Sequence, residues 1–450
     1  MINYFKSYFT GHQRSVGIKK NVITSFFIKA VSIITGFMMV PLCLDYLDKT
    51  RYGIWLTISS LLAWFSFFEI GLGAGLRNRL AEALAVKDYE KARIFISTTY
   101  GIISSFAVII LAVYFLFSKF IDWTVIFNTD GGLKNELAVL VNIVVVIFSI
   151  KFVLKLIGMV LYADQKPALA NSMDPLGNLF ALGIIFILTR TTKGSLVYLG
   201  LTLSLAPVLI MLVYTLILYS GKYKNIAPSY KYFRKEYISS LFSLGVKFFI
   251  IQISGLVLYH STNIIISQFF GPAEVTPYNV AFKLFSTINM VFGIVMMPYW
   301  SAYTEAWKVG DIPWIRRSVK KLIKLWYIMA ALGIITLLFS DKIYKLWVGD
   351  RVSISFSLSA MLLIYFLLFT FGGIFNMFIN GVGKIKLQLY IAATSAILFY
   401  PLSIFLIKTT GWDVEALALS IILINLSAPI ISPIQFYKII NSKAKGIWNE

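Results

Sequence analysis

Residues 136–162 read ELAVLVNIVVVIFSIKFVLKLIGMVLY: one carboxylate at the start, then an apolar run interrupted only by Asn142, Ser149, Lys151 and Lys155. As an α-helix this stretch is about 40 Å long, enough to cross the roughly 30 Å hydrocarbon core of a bilayer. The rest of the chain repeats the pattern. Comparable runs fall near 22–45, 53–76, 94–118, 169–189, 195–220, 241–267, 277–303, 322–340, 354–380, 387–407 and 415–437. A chain that is 58% hydrophobic, with mean hydropathy +0.80, has too much apolar surface for a soluble core of 450 residues. The expected class is an all-α polytopic membrane protein of about twelve transmembrane helices.

The net charge of +21 would suggest nucleic acid in a soluble protein. Here it follows the positive-inside rule. With twelve spans both termini share a side, and that side carries 26 Lys and Arg in its tails and loops against 10 on the other. Both termini are therefore expected to be cytoplasmic. Met1 to Lys20 is polar and basic rather than a signal peptide, and its Tyr4, Phe5, Tyr8 and Phe9 fit either a short surface helix or a tail. Cys43 stands alone, and His12 and His260 are too few for a histidine metal site, so neither a disulfide nor a metal or other cofactor is expected.

The longest break in hydrophobicity, Gly221 to Ser240, divides the chain into an N-terminal six-helix bundle (1–220), a basic cytoplasmic linker (221–240) and a C-terminal six-helix bundle (241–450). The halves share loop chemistry. At an offset of 223, Val86-Lys87-Asp88 matches Val309-Gly310-Asp311, and Asp48 falls on Gly271. Ala163-Asp164-Gln165-Lys166 returns loosely as Gly381-Val382-Gly383-Lys384. An even number of spans per half makes such a repeat parallel, with a pseudo-two-fold axis along the membrane normal and a central cavity between the bundles.

Five cations fall inside the spans: Lys29, Lys151, Lys155, Lys247 and Lys283. Each costs about 2.5–3.5 kcal/mol near the bilayer centre, so it should face a wet cavity or a partner. Lys151 and Lys155 project from one helix face, where two flexible ammonium groups could bridge a diphosphate. The competing reading is a pair of contacts to carboxylates or carbonyls that hold helices together. Lys29 and Glu69 lie at equal depth on consecutive helices and suit an ion pair; a Glu69 that took up a proton would free Lys29. Asp174, with Asn171 and Asn178 near it, is a second coupling or ion-pair candidate, or else a polar helix start before Pro175. His260 is mid-span and titratable. Lys247 and Lys283 are weaker cavity candidates, close enough to an interface to snorkel.

Pro41-Leu42, Tyr46-Leu47-Asp48, Tyr52-Gly53-Ile54-Trp55, Trp64, Glu69-Ile70-Gly71-Leu72-Gly73 and Leu76-Arg77-Asn78-Arg79-Leu80 run through the first two spans and the loops that follow them. Phe270-Gly271-Pro272 and Tyr278-Asn279-Val280-Ala281 follow in the second half. With these motifs the chain resembles the bacterial polysaccharide and O-antigen flippases of the multidrug/oligosaccharidyl-lipid/polysaccharide exporter (MOP) superfamily. It departs from their pattern where Asp48 replaces a glycine and Glu69 an aspartate. The resemblance implies movement of polyprenyl-diphosphate-linked oligosaccharide from the inner to the outer leaflet of the bacterial inner membrane. It also implies alternating access coupled to an H+ or Na+ gradient, and polysaccharide polymerase or chain-length proteins as partners. The alternative on the same fold is a multidrug or cation antiporter, disfavoured because lysines outnumber acids inside the spans. A membrane glycosyltransferase or polymerase is more distant, since the chain has no Asp-x-Asp, no P-loop and no large external loop.

Overall fold

The computed structural model describes residues 13–66, 68–164, 166–242 and 261–450. The chain divides into two compact units, Met1–Ile250 and Ile251–Glu450. Among the described residues every long element is helical. Nine helical segments among the described residues are long and apolar enough to cross a membrane.

In the first unit the helices are α1 (Gln13–Tyr46), α2 (Lys49–Ser66), α3 (Phe68–Ala85), α4 (Tyr89–Phe117), α5 (Lys134–Leu154), α6 (Leu156–Ala163), α7 (Pro167–Thr191) and α8 (Leu196–Ser220). Gln13 to Lys20 continue into the first span, so these residues are not a separate surface helix; residues 1–12 lie outside the described ones. The expected span 53–76 is covered by α2 and α3 on either side of Phe67, which lies outside the described residues, and the span 136–162 breaks between α5 and α6 at Lys155. Pro167 takes the first turn of α7, where its missing N–H costs nothing. Asp174 and Pro175 therefore lie inside α7, and the reading of Asp174 as a polar helix start is corrected.

Helix α7 packs between α1 and α8, α8 packs on α5, and α3 packs on both α4 and α6. On the face away from the 164–166 loop, Tyr46 Oη meets Thr192 Oγ1 at 2.9 Å and donates to the Lys193 carbonyl at 3.2 Å. Glu136 accepts the Leu196 N–H at 2.9 Å and lies 3.6 Å from Arg51, so the ends of α1, α2, α5, α7 and α8 meet there.

In the second unit residues 261–270 are helical, followed by α9 (Pro272–Lys308), α10 (Ile312–Leu338), α11 (Phe356–Val382), α12 (Lys386–Thr410), α13 (Val414–Asn425) and α14 (Ser427–Ile440). Helix α11 is central, touching α9, α10, α13 and α14. Its Phe375 and Phe378 join Phe292, Tyr303 and Phe436 in an aromatic core. The expected span 241–267 falls mostly on residues outside those described.

The repeated loop motif has the same backbone in both units. Asp88 N–H donates to the Ala83 carbonyl at 2.9 Å, and Asp311 N–H to the Ala306 carbonyl at 2.9 Å. Lys87 and Gly310, one residue earlier, both have positive φ, 58° and 74°. Each aspartate then caps the next helix, accepting from Lys91 N or Trp314 N at 3.0 Å. This is a helix C-terminus closed by a left-handed residue and followed directly by an N-cap.

The α6–α7 loop is clamped to the end of α8. Asp164 Oδ2 accepts from the Lys222 ammonium and, at 2.6 Å, from Tyr223 Oη, with Lys166 at 3.5 Å. Burial pushes the Asp164 carboxyl up, but the bonds from Lys222 and Tyr223 and the charges of Lys222 and Lys166 outweigh it. The net effect holds it below the usual carboxylate range. A depressed folded-state pKa means stability that is full above the unfolded-state pKa and lost as pH falls through the folded one. Asp164→Asn is therefore expected to lose about 1 kcal/mol at pH 7. The difference from wild type should shrink as pH falls below 4, read as melting temperatures of both proteins along a pH series.

Candidate functional site

Three elements of the first unit bring charge together inside the membrane span. Lys151 sits in the last turn of α5, Lys155 at the break before α6, and Asp174 one-third of the way along α7. The Lys155 N–H still bonds the Lys151 carbonyl at 2.9 Å, so the two lysines keep their one-turn spacing despite the break. Lys151 Nζ lies 3.2 Å from Asp174 Oδ1, with the lysine 31% and the carboxylate 53% exposed. The pair is thus reachable rather than sealed in the core.

Around this pair the site extends toward the α6–α7 loop. Tyr162, on α6, donates its hydroxyl to Asn171 Oδ1 at 2.5 Å. Asn171 is three residues before Asp174 and so lies on the same face of α7. From α3, the Arg77 guanidinium stands over the Tyr162 ring, 5.3 Å from its centre. Arg77, Lys155 and Asp174 all act electrostatically on the Tyr162 hydroxyl. On α7 the two contacts, at Asn171 and Asp174, are three residues apart, about 4.5 Å along the helix. Among the described side chains the cluster holds three cations, one carboxylate, one phenol and one amide.

In the sequence Lys151 and Lys155 form one pair and Asp174 a separate candidate, and the structure joins Lys151 to Asp174. For Lys151 the carboxylate contact weighed against the diphosphate reading is present. Among the described side chains Arg77 and Lys155 stand in the same cluster, so cations outnumber carboxylates there. Arg77 and Tyr162 were not expected in the site. Arg77 stood in a recognised motif, but only the packing of α3 on α6 shows which helix it meets.

The remaining candidates lie apart from this cluster or beyond description. Lys29 is exposed on α1, the helix that runs along α7. Glu69 is in the first turn of α3, and its side chain falls outside the described atoms, as does the expected Lys29–Glu69 pair. Lys283 is half-buried within α9 of the second unit, and its carbonyl accepts from Ser286 Oγ at 3.0 Å. Lys247 and His260 lie outside the described residues.

Comparison with known proteins agrees with the resemblance seen in the motifs. The chain is 22% identical over 369 residues to a protein named for O-antigen export in Yersinia pseudotuberculosis, covering 80% of this chain and 82% of the relative. It is 23% identical over 374 residues to a protein named as an O-antigen transporter in Salmonella typhi, covering 81% and 84%. Both are named for transport rather than for an enzymatic reaction. Among solved structures, the inward-facing conformation of a multidrug resistance MATE family transporter of the MOP superfamily superposes with a TM-score of 0.78 at 14% identity, covering 94% of this chain and 98% of that one. The superposition shows a shared fold, that of a multi-pass membrane protein. A family model described as polysaccharide biosynthesis protein matches residues 18–303, well over half of the length, and the chain belongs to that family.

Proposed function

We propose that this protein is a flippase that carries a polyprenyl-diphosphate-linked oligosaccharide, such as an O-antigen, capsule or exopolysaccharide repeat unit, from the cytoplasmic to the periplasmic leaflet of the inner membrane. The observation that carries the reading is the basic character of the cluster: among the described side chains, Arg77, Lys151 and Lys155 gather around Asp174. An anionic headgroup entering such a site replaces water around charges that are costly to bury, and two ammonium groups one turn apart match two phosphoryl groups. Asp174 holds Lys151 until the headgroup takes its place. Tyr162 and Asn171 offer a hydroxyl and an amide to the same ligand. The names of the relatives support a polysaccharide cargo, and the 26-to-10 excess of basic residues supports cytoplasmic termini.

Alternating access of the two units would move the cargo, with an H+ or Na+ gradient as the drive and Asp174, Glu69 and His260 as the groups that couple to it. A multidrug or cation antiporter needs a carboxylate-rich site, and this cluster has the opposite balance. The test is a proteoliposome assay that follows a fluorescent polyprenyl-diphosphate oligosaccharide into the far leaflet, with and without imposed ion gradients. Movement above protein-free vesicles is the expected outcome. Export of a cationic dye with no movement of the glycolipid would overturn the reading in favour of the antiporter.

A further inference from the structure

The basic segment that follows α8 is docked along its own unit. Tyr223, Ile226 and Leu241 are buried in the core of the first unit. Between them the backbone is pinned to α4: Ser229 N–H donates to Ser97 Oγ at 3.0 Å, and Arg234 N–H to Thr98 Oγ1 at 3.1 Å. Arg93 Nε donates to the Ala227 carbonyl at 3.0 Å, and its guanidinium stacks 4.3 Å from the centre of the Tyr232 ring. Phe233 lies so close to Gly101 that a Cβ there would come within 2.7 Å of its ring. Tyr237 meets Phe95 edge to face at 5.3 Å.

These contacts place the segment at a definite depth. Ser97 to Gly101 lie three to seven residues inside the apolar run that begins at residue 94, about 5–10 Å along the helix. That is the depth of the boundary between headgroups and acyl chains, where amphipathic segments lie in the membrane plane. The outward face of the segment has matching chemistry. Tyr230 is 97% exposed, Lys224, Lys231, Arg234 and Lys235 are exposed, and the acidic residue among them is Glu236. Arg234 spends its guanidinium on the carbonyls of Lys231 and Phe233, both at 3.0 Å, which leaves the three lysines to present ammonium groups.

We infer that residues 224–237 form an interfacial strap that binds the anionic phospholipid headgroups of the leaflet it lies in. A tyrosine bare of protein contacts at this depth is solvated by lipid rather than by bulk water, since its ring suits the interface and its hydroxyl the headgroups. Lysine stems run along the apolar layer while their ammonium groups reach phosphate. A soluble acidic partner would have to enter the headgroup layer to reach the same face. The polar anchors on α4 hold the strap in place, so its lipid contacts belong to the first unit as a whole.

The test uses the full chain in lipid nanodiscs. Cys43 is the sole cysteine and is fully buried, so Cys43→Ser with Tyr230→Cys provides a single site for an environment-sensitive fluorophore. Labelled protein is compared in phosphatidylcholine discs and in discs containing phosphatidylglycerol, with headgroup nitroxide lipids and aqueous iodide as quenchers. Only preparations that melt at the parent temperature are scored. The expected result is strong nitroxide quenching, weak iodide quenching, and a stronger nitroxide effect when the nitroxide is on the anionic lipid. The variant Lys224→Gln/Lys231→Gln/Lys235→Gln leaves the docking contacts intact. It should lower the preference for the anionic lipid by up to about fivefold per charge removed, the equivalent of roughly 1 kcal/mol for a cation at an anionic surface. Full access to iodide with no nitroxide effect would place the strap in water, free for a soluble partner, and overturn the inference. Equal quenching by anionic and zwitterionic nitroxide lipids would overturn its anion selectivity.

Discussion

Lys151→Ala/Lys155→Ala is expected to abolish movement of polyprenyl-diphosphate oligosaccharide in proteoliposomes while leaving the protein folded. Each lysine removed takes away a charge-assisted hydrogen bond to phosphate, worth about 1.5–3 kcal/mol. Two such losses lower headgroup affinity by about a hundredfold or more. Folding should survive because the Lys151–Asp174 pair is partly exposed on both sides, 31% and 53%, and the buried packing around it comes from Phe152, Leu156 and Ile157. Measuring transport together with melting temperature separates the two effects. Transport retained by the double variant would demote the lysines to structural contacts.

The partner carboxylate sharpens this test because it predicts the opposite sign. Asp174 competes with an anionic headgroup for Lys151, so Asp174→Asn frees the ammonium and should strengthen binding of a soluble diphosphate lipid analogue. If the pair only bridges α5 and α7, then Lys151→Ala and Asp174→Asn lose the same stability and leave binding unchanged. A double-mutant cycle on melting temperature and on binding reads both possibilities from one set of proteins. Tighter binding need not mean faster transport, since a headgroup held too firmly in the inward state is released slowly.

The apolar runs were legible because bilayer thickness imposes a length on each, and the turn at Val86-Lys87-Asp88 because a left-handed residue followed by an N-cap is local chemistry. The helix break at Lys155 was not. Lys155 is neither a proline nor a glycine, and neither residue beside it announces an interruption. The candidate site was half legible. Lys151, Lys155 and Asp174 are conspicuous as charges in apolar stretches, whereas Arg77 reads as a loop cation until α3 is seen packed on α6. The docking of the 221–237 segment left no local mark either. Ser97 and Thr98 look like ordinary small residues of a membrane helix, and the N–H groups they accept come from more than 130 residues away.

Gly177→Val is expected to be among the most damaging single substitutions in the first unit. A Cβ at Gly177 would stand 2.5 Å from the Pro207 Cα, 2.9 Å from its Cβ and 3.1 Å from its nitrogen. These are backbone and ring atoms with no rotamer to change, so α7 and α8 must move apart. Overpacking of this kind costs about 1–3 kcal/mol for small additions, and valine adds two methyl groups beyond the Cβ. Gly200 offers the contrast: a Cβ there would meet side-chain atoms, Leu140 Cδ1 at 2.3 Å and the Trp55 ring at 3.0 and 3.2 Å, which can shift by small χ changes where the Pro207 backbone cannot. Gly200→Ala should therefore be milder than Gly177→Ala, and Gly177→Val worse than either, when melting temperatures are compared in one detergent. The effect reaches the site as well, since Asp174 is one turn from Gly177 on the same helix. Displacing α7 should lengthen the 3.2 Å contact to Lys151, so variants at Gly177 that still fold are expected to bind the diphosphate analogue with altered affinity. Unchanged stability in Gly177→Val would mean that the close approach of α7 and α8 is not required in the folded protein.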